Sequence, residues 1–184
     1  MAAIDWDFIS ALEGACVLRG YIPKELDTKN SGVTVASGVD LGHRRASILY
    51  TFGLPVDVLD EIAIYCGTRG VFAEKLLDER PLSLSLKQAR LLDDCVRRIF
   101  VDRVRERWNR DSTRAWGELT VEQRTTVMSV SWQYGEPWLR TPTFWRLTTN
   151  SLWGAALNEL LDFGDDYPTR RRTEAEYLRS GEMT

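Results

Sequence analysis

Metal-binding side chains are scarce in this chain. It has one histidine in 184 residues, and Cys16, Cys66 and Cys95 are scattered with no CxxC spacing. That speaks against a zinc centre of the usual Cys/His kinds. An odd number of separated cysteines reads instead as small core residues of a chain made in a reducing compartment. Long apolar runs are missing too, since nothing approaches the ~18 residues that a membrane-spanning helix needs. The opening stretch, MAAIDWDFISALEG, carries acids where a secretory leader carries bases, and its apolar positions are interrupted. The expectation is a protein made in the cytoplasm without a signal peptide, and not inserted in a membrane. Nor does one sign of charge dominate: 24 Lys and Arg against 27 Asp and Glu leave a net charge of −3, which gives no reason to expect nucleic acid as a partner. The seven arginines between Arg97 and Arg114, set against Asp102, Glu106 and Asp111, read as a solvated helix face.

What is present is an ordinary globular mix, 43% hydrophobic and 28% charged, long enough to bury most of its apolar surface. Helical spacing dominates. Asp5 or Asp7 can cap a first helix in which Phe8, Ile9 and Leu12 share a face, with Gly14 as its stop. Later helices are expected over Ala46–Phe52, Pro55–Cys66 and Val71–Leu77. Ser85-Leu86-Lys87-Gln88 is a capping box that opens the longest helix, to Trp108, and Thr120-Val121-Glu122-Gln123 opens another that Gly135 closes. Thr143–Thr149, Leu152–Phe163 and Thr169–Arg179 complete the set.

Residues 20 to 43 depart from this pattern. Val33 and Val35 straddle Thr34 in period two, among the turn formers Gly20, Pro23, Asn30-Ser31-Gly32 and Gly38. This predicts a small hairpin or three-stranded sheet. The expected fold class is therefore α+β, mainly α, as a single domain over 1–184. A mixed N-terminal lobe (1–80) would carry the sheet, a long helix would link the lobes, and the C-terminal lobe (81–184) would be helical. A groove between two such lobes suits a polymeric substrate.

Two acids stand out among the 27. Glu13 follows Leu12 at the end of an apolar helix, where desolvation and the helix C-terminus both favour a protonated carboxyl. Asp40 sits between Val39 and Leu41 in the Gly-bounded segment, and Thr34, six residues earlier, can share its face and hold a water molecule. One protonated and one ionised carboxyl on either side of a bond is what glycoside hydrolysis requires. Asp27 is the rival acid in the same loop. Trp108, Trp132 and Trp153 fit core stripes, while Trp138 and Trp145 are open between core and sugar-stacking roles.

Leu12-Glu13-Gly14, Gly20-Tyr21-Ile22-Pro23 and Ser31 to His43 resemble the active-site region of the phage-type lysozymes, in particular the pesticin-type muramidase domains. In those proteins a Glu ends the first helix and a small sheet carries a Thr and an Asp before Gly-His, as Glu13, Thr34, Asp40 and Gly42-His43 do here. The common phage enzymes have the Asp before the Thr, soon after the Glu; here those positions are Ile22 and Pro23, and the order is the pesticin-like one. Val127 to Gly135, ending Trp132-Gln133-Tyr134-Gly135, is similar to the family's buried helix ending in aromatic-Gln-x-Gly, and Tyr167 to Glu176 is similar to its late Arg-rich helix.

The resemblance implies a lysozyme-like fold and a muramidase that cuts the β-1,4 link between N-acetylmuramic acid and N-acetylglucosamine in peptidoglycan. It implies Glu13 as general acid, Asp40 opposite, and Thr34 positioning water. Arg170 would face Glu13, with Arg171 as the alternative, Gln133 would brace the cleft from beneath, and His43 would be a structural hydrogen-bonding residue behind the sheet. No cofactor is expected, because acid–base catalysis and positioning supply the rate. Peptidoglycan glycan strands are the expected partner, in the periplasm or cell wall after delivery, with an immunity protein if the chain is a toxin and a holin if it is an endolysin. Two further readings stay open: a silent glycan-binding module, and a helical interaction protein whose acids are incidental.

Overall fold

Asp5 settles where the chain begins to coil, because its carboxylate accepts the Phe8 N–H at 2.9 Å and so caps helix α1 (Trp6–Leu12). In the computed structural model residues 3–23 and 30–181 are described; Asp27 lies outside them. The chain divides into two compact units. One is the chain up to Leu12 together with everything from Phe100 onward, and the other is Glu13–Ile99. The boundary falls within the long helix α5 (Leu86–Asp111) rather than near residue 80. Its early residues Leu92, Cys95 and Val96 are buried on the Glu13–Ile99 side, where the Cys95 thiol meets the Leu49 carbonyl at 3.4 Å. Its later residues Val101, Val104 and Trp108 belong to the large apolar cluster of the other unit.

The Glu13–Ile99 unit carries the sheet. Strands β1 (Val17–Tyr21), β2 (Thr34–Ala36) and β3 (Val39–Asp40) are antiparallel in the order β1-β2-β3. β1 starts earlier than the period-two pattern reveals, since Val17 and Leu18 are both exposed and give no alternation. Beyond β1, the Leu82 carbonyl accepts the Gly20 N–H at 3.0 Å and the Leu84 N–H reaches the Leu18 carbonyl at 2.8 Å, which covers the free edge. Helices α2 (Ala46–Thr51), α3 (Val56–Ile62) and α4 (Val71–Glu79) follow, and Leu49, Val58, Ile62 and Ala73 are their buried contributions. Pro55–Cys66 is thus not one helix; it tightens into a 3₁₀ turn over Ala63–Tyr65.

The other unit is all helix. α6 (Val121–Tyr134) is buried from Arg124 through Ser131 and packs against α1 and α10 (Pro168–Ser180). Both capping boxes form: the Gln88 N–H reaches the Ser85 hydroxyl and the Gln123 N–H the Thr120 hydroxyl, each at 3.2 Å. Helices α7 (Pro137–Arg140), α8 (Pro142–Thr149) and α9 (Trp153–Leu161) complete it. α7 and α8 each open on a proline, Pro137 and Pro142, because Pro at the first helical position is pre-set for a helix. Trp108 lies at the centre, edge-on to Trp116 and Trp145 and stacked on Trp153. Trp138 sits edge-on to Trp145, with the Arg107 guanidinium 5.1 Å from its ring centroid, so both open tryptophans belong to the core and its rim. Among the described residues no helix is long and apolar enough to cross a membrane.

Candidate functional site

The β2–β3 hairpin makes the first half of the site. Its register sets Thr34 directly opposite Asp40 and Val35 opposite Val39. Directly opposed residues project from the same face of a sheet, so Thr34 and Asp40 are neighbours across the strands. Thr34 is only 3% exposed, and its hydroxyl donates to the Gly32 carbonyl at 3.4 Å.

Asp40 ends β3 and caps the 3₁₀ turn Leu41–His43, where its Oδ1 accepts the Gly42 N–H at 2.8 Å. The Gly32 N–H reaches Oδ1 at 3.1 Å and Oδ2 at 3.2 Å. Two backbone amides thus fix the carboxylate, with no side-chain rotamer to lose. Only glycine permits this approach. A Cβ on Gly32 would stand 2.4 Å from the Gly42 nitrogen and 2.7 Å from Asp40 Oδ1. One on Gly42 would meet the Gly32 Cα and the Thr68 carbonyl oxygen at 2.8 Å each. The loop after α3 locks the arrangement, with the Gly67 N–H on the Leu41 carbonyl and the Gly70 N–H on the Ser31 carbonyl.

His43 is open to solvent. Its side chain is 52% exposed at the end of the 3₁₀ turn, with Nε2 3.7 Å from Asp40 Oδ2. Glu13 is half-buried, the first residue beyond α1.

The C-terminal helix organises a second cluster. Arg170 Nη1 donates at 3.4 Å to the carbonyl of Leu12, the residue that leads into Glu13. Its Nη2 reaches the Ser129 carbonyl at 3.2 Å, and its Nε reaches Glu174 at 3.2 Å. Arg171, 1% exposed, pairs with Glu174 and with Gln133, and its Nε reaches Asp165 at 2.9 Å. Gln133 therefore braces Arg171, and Arg170 is the arginine joined to the end of α1. Glu174, Ser129 and Asp165 were not singled out from the sequence. The signal was available, because Glu174 lies four residues after Arg170 and three after Arg171, on their helix face.

Burial pushes the Glu174 carboxyl up against the downward pull of Arg171 and Arg170. Burial also works on Asp165, but hydrogen bonds from Tyr134 and Arg171 outweigh it and hold that carboxyl below its ordinary range.

A family model described as "Pesticin: Bacterial toxin homologue of phage lysozyme, C-term" matches residues 3–154. The matched span includes Glu13, Thr34, Asp40, His43 and Gln133, and stops before α10. No curated protein matches the chain.

Proposed function

We propose, from the premise that this chain belongs to the pesticin family of bacterial-toxin homologues of phage lysozyme, that it is a muramidase. The bond cut is the β-1,4 link from N-acetylmuramic acid to N-acetylglucosamine in peptidoglycan. The observation that carries this reading is the hairpin pair: Thr34 opposite Asp40, with the carboxylate clamped by the Gly32 and Gly42 amides. A carboxylate held by backbone amides keeps its aim without ordering a long side chain, as a group working on a reacting centre must.

Glu13 donates its proton to the leaving O4 of N-acetylglucosamine as the bond to C1 of N-acetylmuramic acid breaks. Water held between the Thr34 hydroxyl and Asp40 attacks C1 from the opposite side and gives its proton to Asp40. The anomeric centre inverts, which calls for carboxyl groups roughly 6.5–9.5 Å apart. Arg170, bonded to the Leu12 carbonyl, supports the peptide that presents Glu13. The biological role that suits the family's toxin members is attack on a rival's wall from the periplasm, with an immunity protein protecting the producer.

Replacing Glu13 by Gln tests the assignment on purified peptidoglycan. Loss of turbidity clearing with an unchanged melting temperature is expected, and full residual clearing refutes it. Asp40→Asn and Thr34→Ala should each be severely impaired. An impaired Asp27→Asn beside an active Asp40→Asn would transfer the role to Asp27. Mass spectrometry of the digest separates a hydrolase, which releases muropeptides, from a module that only binds glycan.

A further inference from the structure

The hairpin that carries Thr34 and Asp40 has a turn that does not hold itself. Ala36 has φ +56° and Gly38 has φ +82°. Left-handed backbone is free for glycine but costs an alanine roughly 1 kcal/mol, so the conformation of Ala36 must be imposed from outside the turn. Ala36 is paired with Val17 of β1 on one side, and the contact to the turn itself comes from α5, 56 residues away in sequence: the Asp93 Oδ1 accepts the Ser37 N–H at 3.1 Å, and its Oδ2 accepts the Ser37 hydroxyl at 2.8 Å. Both carboxylate oxygens grip one residue of the turn, and Asp93 is only 5% exposed.

We infer that Asp93 is a positioning residue for the hydrolysis, clamping Ser37 so that the β2–β3 register keeps Thr34 opposite Asp40. The inference rests on the muramidase reading of that pair. A buried carboxylate is a poor device for stability alone. Desolvation pushes the Asp93 carboxyl up, Asp94 adds to the push, and the Ser37 bonds and Arg97 offset it. The Cys16 thiol is pushed up by burial and then by the Asp93 charge, against the pull of Arg90. An apolar residue in the same space would avoid that desolvation cost, and it would leave the Ser37 N–H and hydroxyl without their acceptor.

The full-length chain carrying Asp93→Asn separates positioning from stability. Asparagine can still accept the Ser37 N–H on its one oxygen, but the amide NH₂ that replaces the second oxygen can only donate toward the Ser37 hydroxyl, so the two-oxygen grip and the buried charge are both lost. The expected result on purified peptidoglycan is a fall in kcat of about 10-fold or more with KM within about twofold. Melting should be unchanged or raised, and amide hydrogen exchange at Gly32 and Gly42 should be faster by NMR. Ser37→Ala should move kcat in the same direction by less, and the double variant should fall short of the product of the two losses. A kcat for Asp93→Asn within about twofold of wild type overturns the inference. So does a loss that only follows the fraction unfolded; should Asp93→Asn fail to fold, Ser37→Ala decides by the same criteria. If the wild-type chain does not cleave peptidoglycan, the muramidase reading fails instead. Exchange at Gly32 and Gly42 in Asp93→Asn then still decides the clamp, and unchanged exchange refutes it.

Discussion

Replacing Glu174 by Gln changes one charge and almost no volume, so the energetic consequence isolates the ion cluster around α10. Glu174 is fully buried and receives Arg171, Arg170 Nε and the Ser129 hydroxyl. In the variant one amide oxygen can still accept, but the amide NH₂ turns a donor toward a guanidinium. Arg171, itself 1% exposed, keeps Asp165 and Gln133 and the faces of Tyr134 and Phe163. Breaking a buried pair from one side costs about 3–5 kcal/mol. The surviving partners of both arginines set the estimate at the low end, about 3 kcal/mol. For a chain of this length each kcal/mol lowers Tm by about 2–4 °C, so a fall of about 6–12 °C is expected. Calorimetry at pH 7 measures it directly. The rise that burial imposes on the Glu174 carboxyl sharpens the test, because it makes the intact pair a weak net stabiliser even though breaking it is costly. Replacing both members, Arg171→Met with Glu174→Leu, should therefore destabilise by at least about 1 kcal/mol less than the two single losses added together. A Tm shift under about 2 °C for Glu174→Gln would refute the picture of a cluster whose charges depend on one another.

Gly32→Ala drives a methyl to 2.4 Å from the Gly42 nitrogen; it should cost about 1–3 kcal/mol in urea unfolding and remove clearing activity, and a fully active variant would show that the carboxylate cradle is dispensable. The Asp93 carboxyl is raised above its ordinary 3.8 by burial, so its contribution to stability is fully present below 3.8 and is lost as pH rises through the folded value. Asp93→Asn should therefore gain stability relative to wild type as pH increases from about 3 to 7, and parallel urea-midpoint curves would contradict this. Asp165 behaves oppositely: its lowered carboxyl gives stability above 3.8 that is lost as pH falls through the folded value. Asp165→Asn should flatten the acid limb of the stability profile, and an unchanged limb would assign acid unfolding elsewhere.

Local signals were legible wherever the deciding partners lie within a few residues. The capping boxes at Ser85 and Thr120 need only a side chain three positions away, and both form. The hairpin followed from Val33-Thr34-Val35 between glycines, and the spacing of Thr34 and Asp40 was enough to put them on one face. What the sequence hid depends on distant chain. His43 reads as a structural hydrogen-bonding residue, yet it closes the 3₁₀ turn Leu41–His43 with its side chain half in solvent. The clamp on Ser37 comes from Asp93, which on its own helix looks like any surface acid. The first helix looked like part of an N-terminal lobe but packs with the C-terminal unit, because its one buried residue, Ile9, finds its apolar cluster there.

That last displacement explains how a helix of seven residues can hold the chain that leads into Glu13. Isolated helices shorter than about 12–15 residues are marginal in water, and α1 has only 7. Its order must be imported. Phe8 stacks on Tyr177 at 4.0 Å between centroids, the Tyr177 hydroxyl donates to Asp5, and the Asp5 N–H bonds the Thr125 hydroxyl at 2.9 Å. At the far end Arg170 takes the Leu12 carbonyl, one of the acceptors that every helix C-terminus leaves unpaired. Both ends of α1 are therefore tied to α6 and α10, and the backbone enters Glu13 from a fixed point. Asp40 is fixed by amides of its own hairpin, whereas Glu13 inherits its origin from residues more than a hundred positions later. On this division of labour, damage to α10 acts first on the peptide leading into Glu13 and leaves the Asp40 cradle intact.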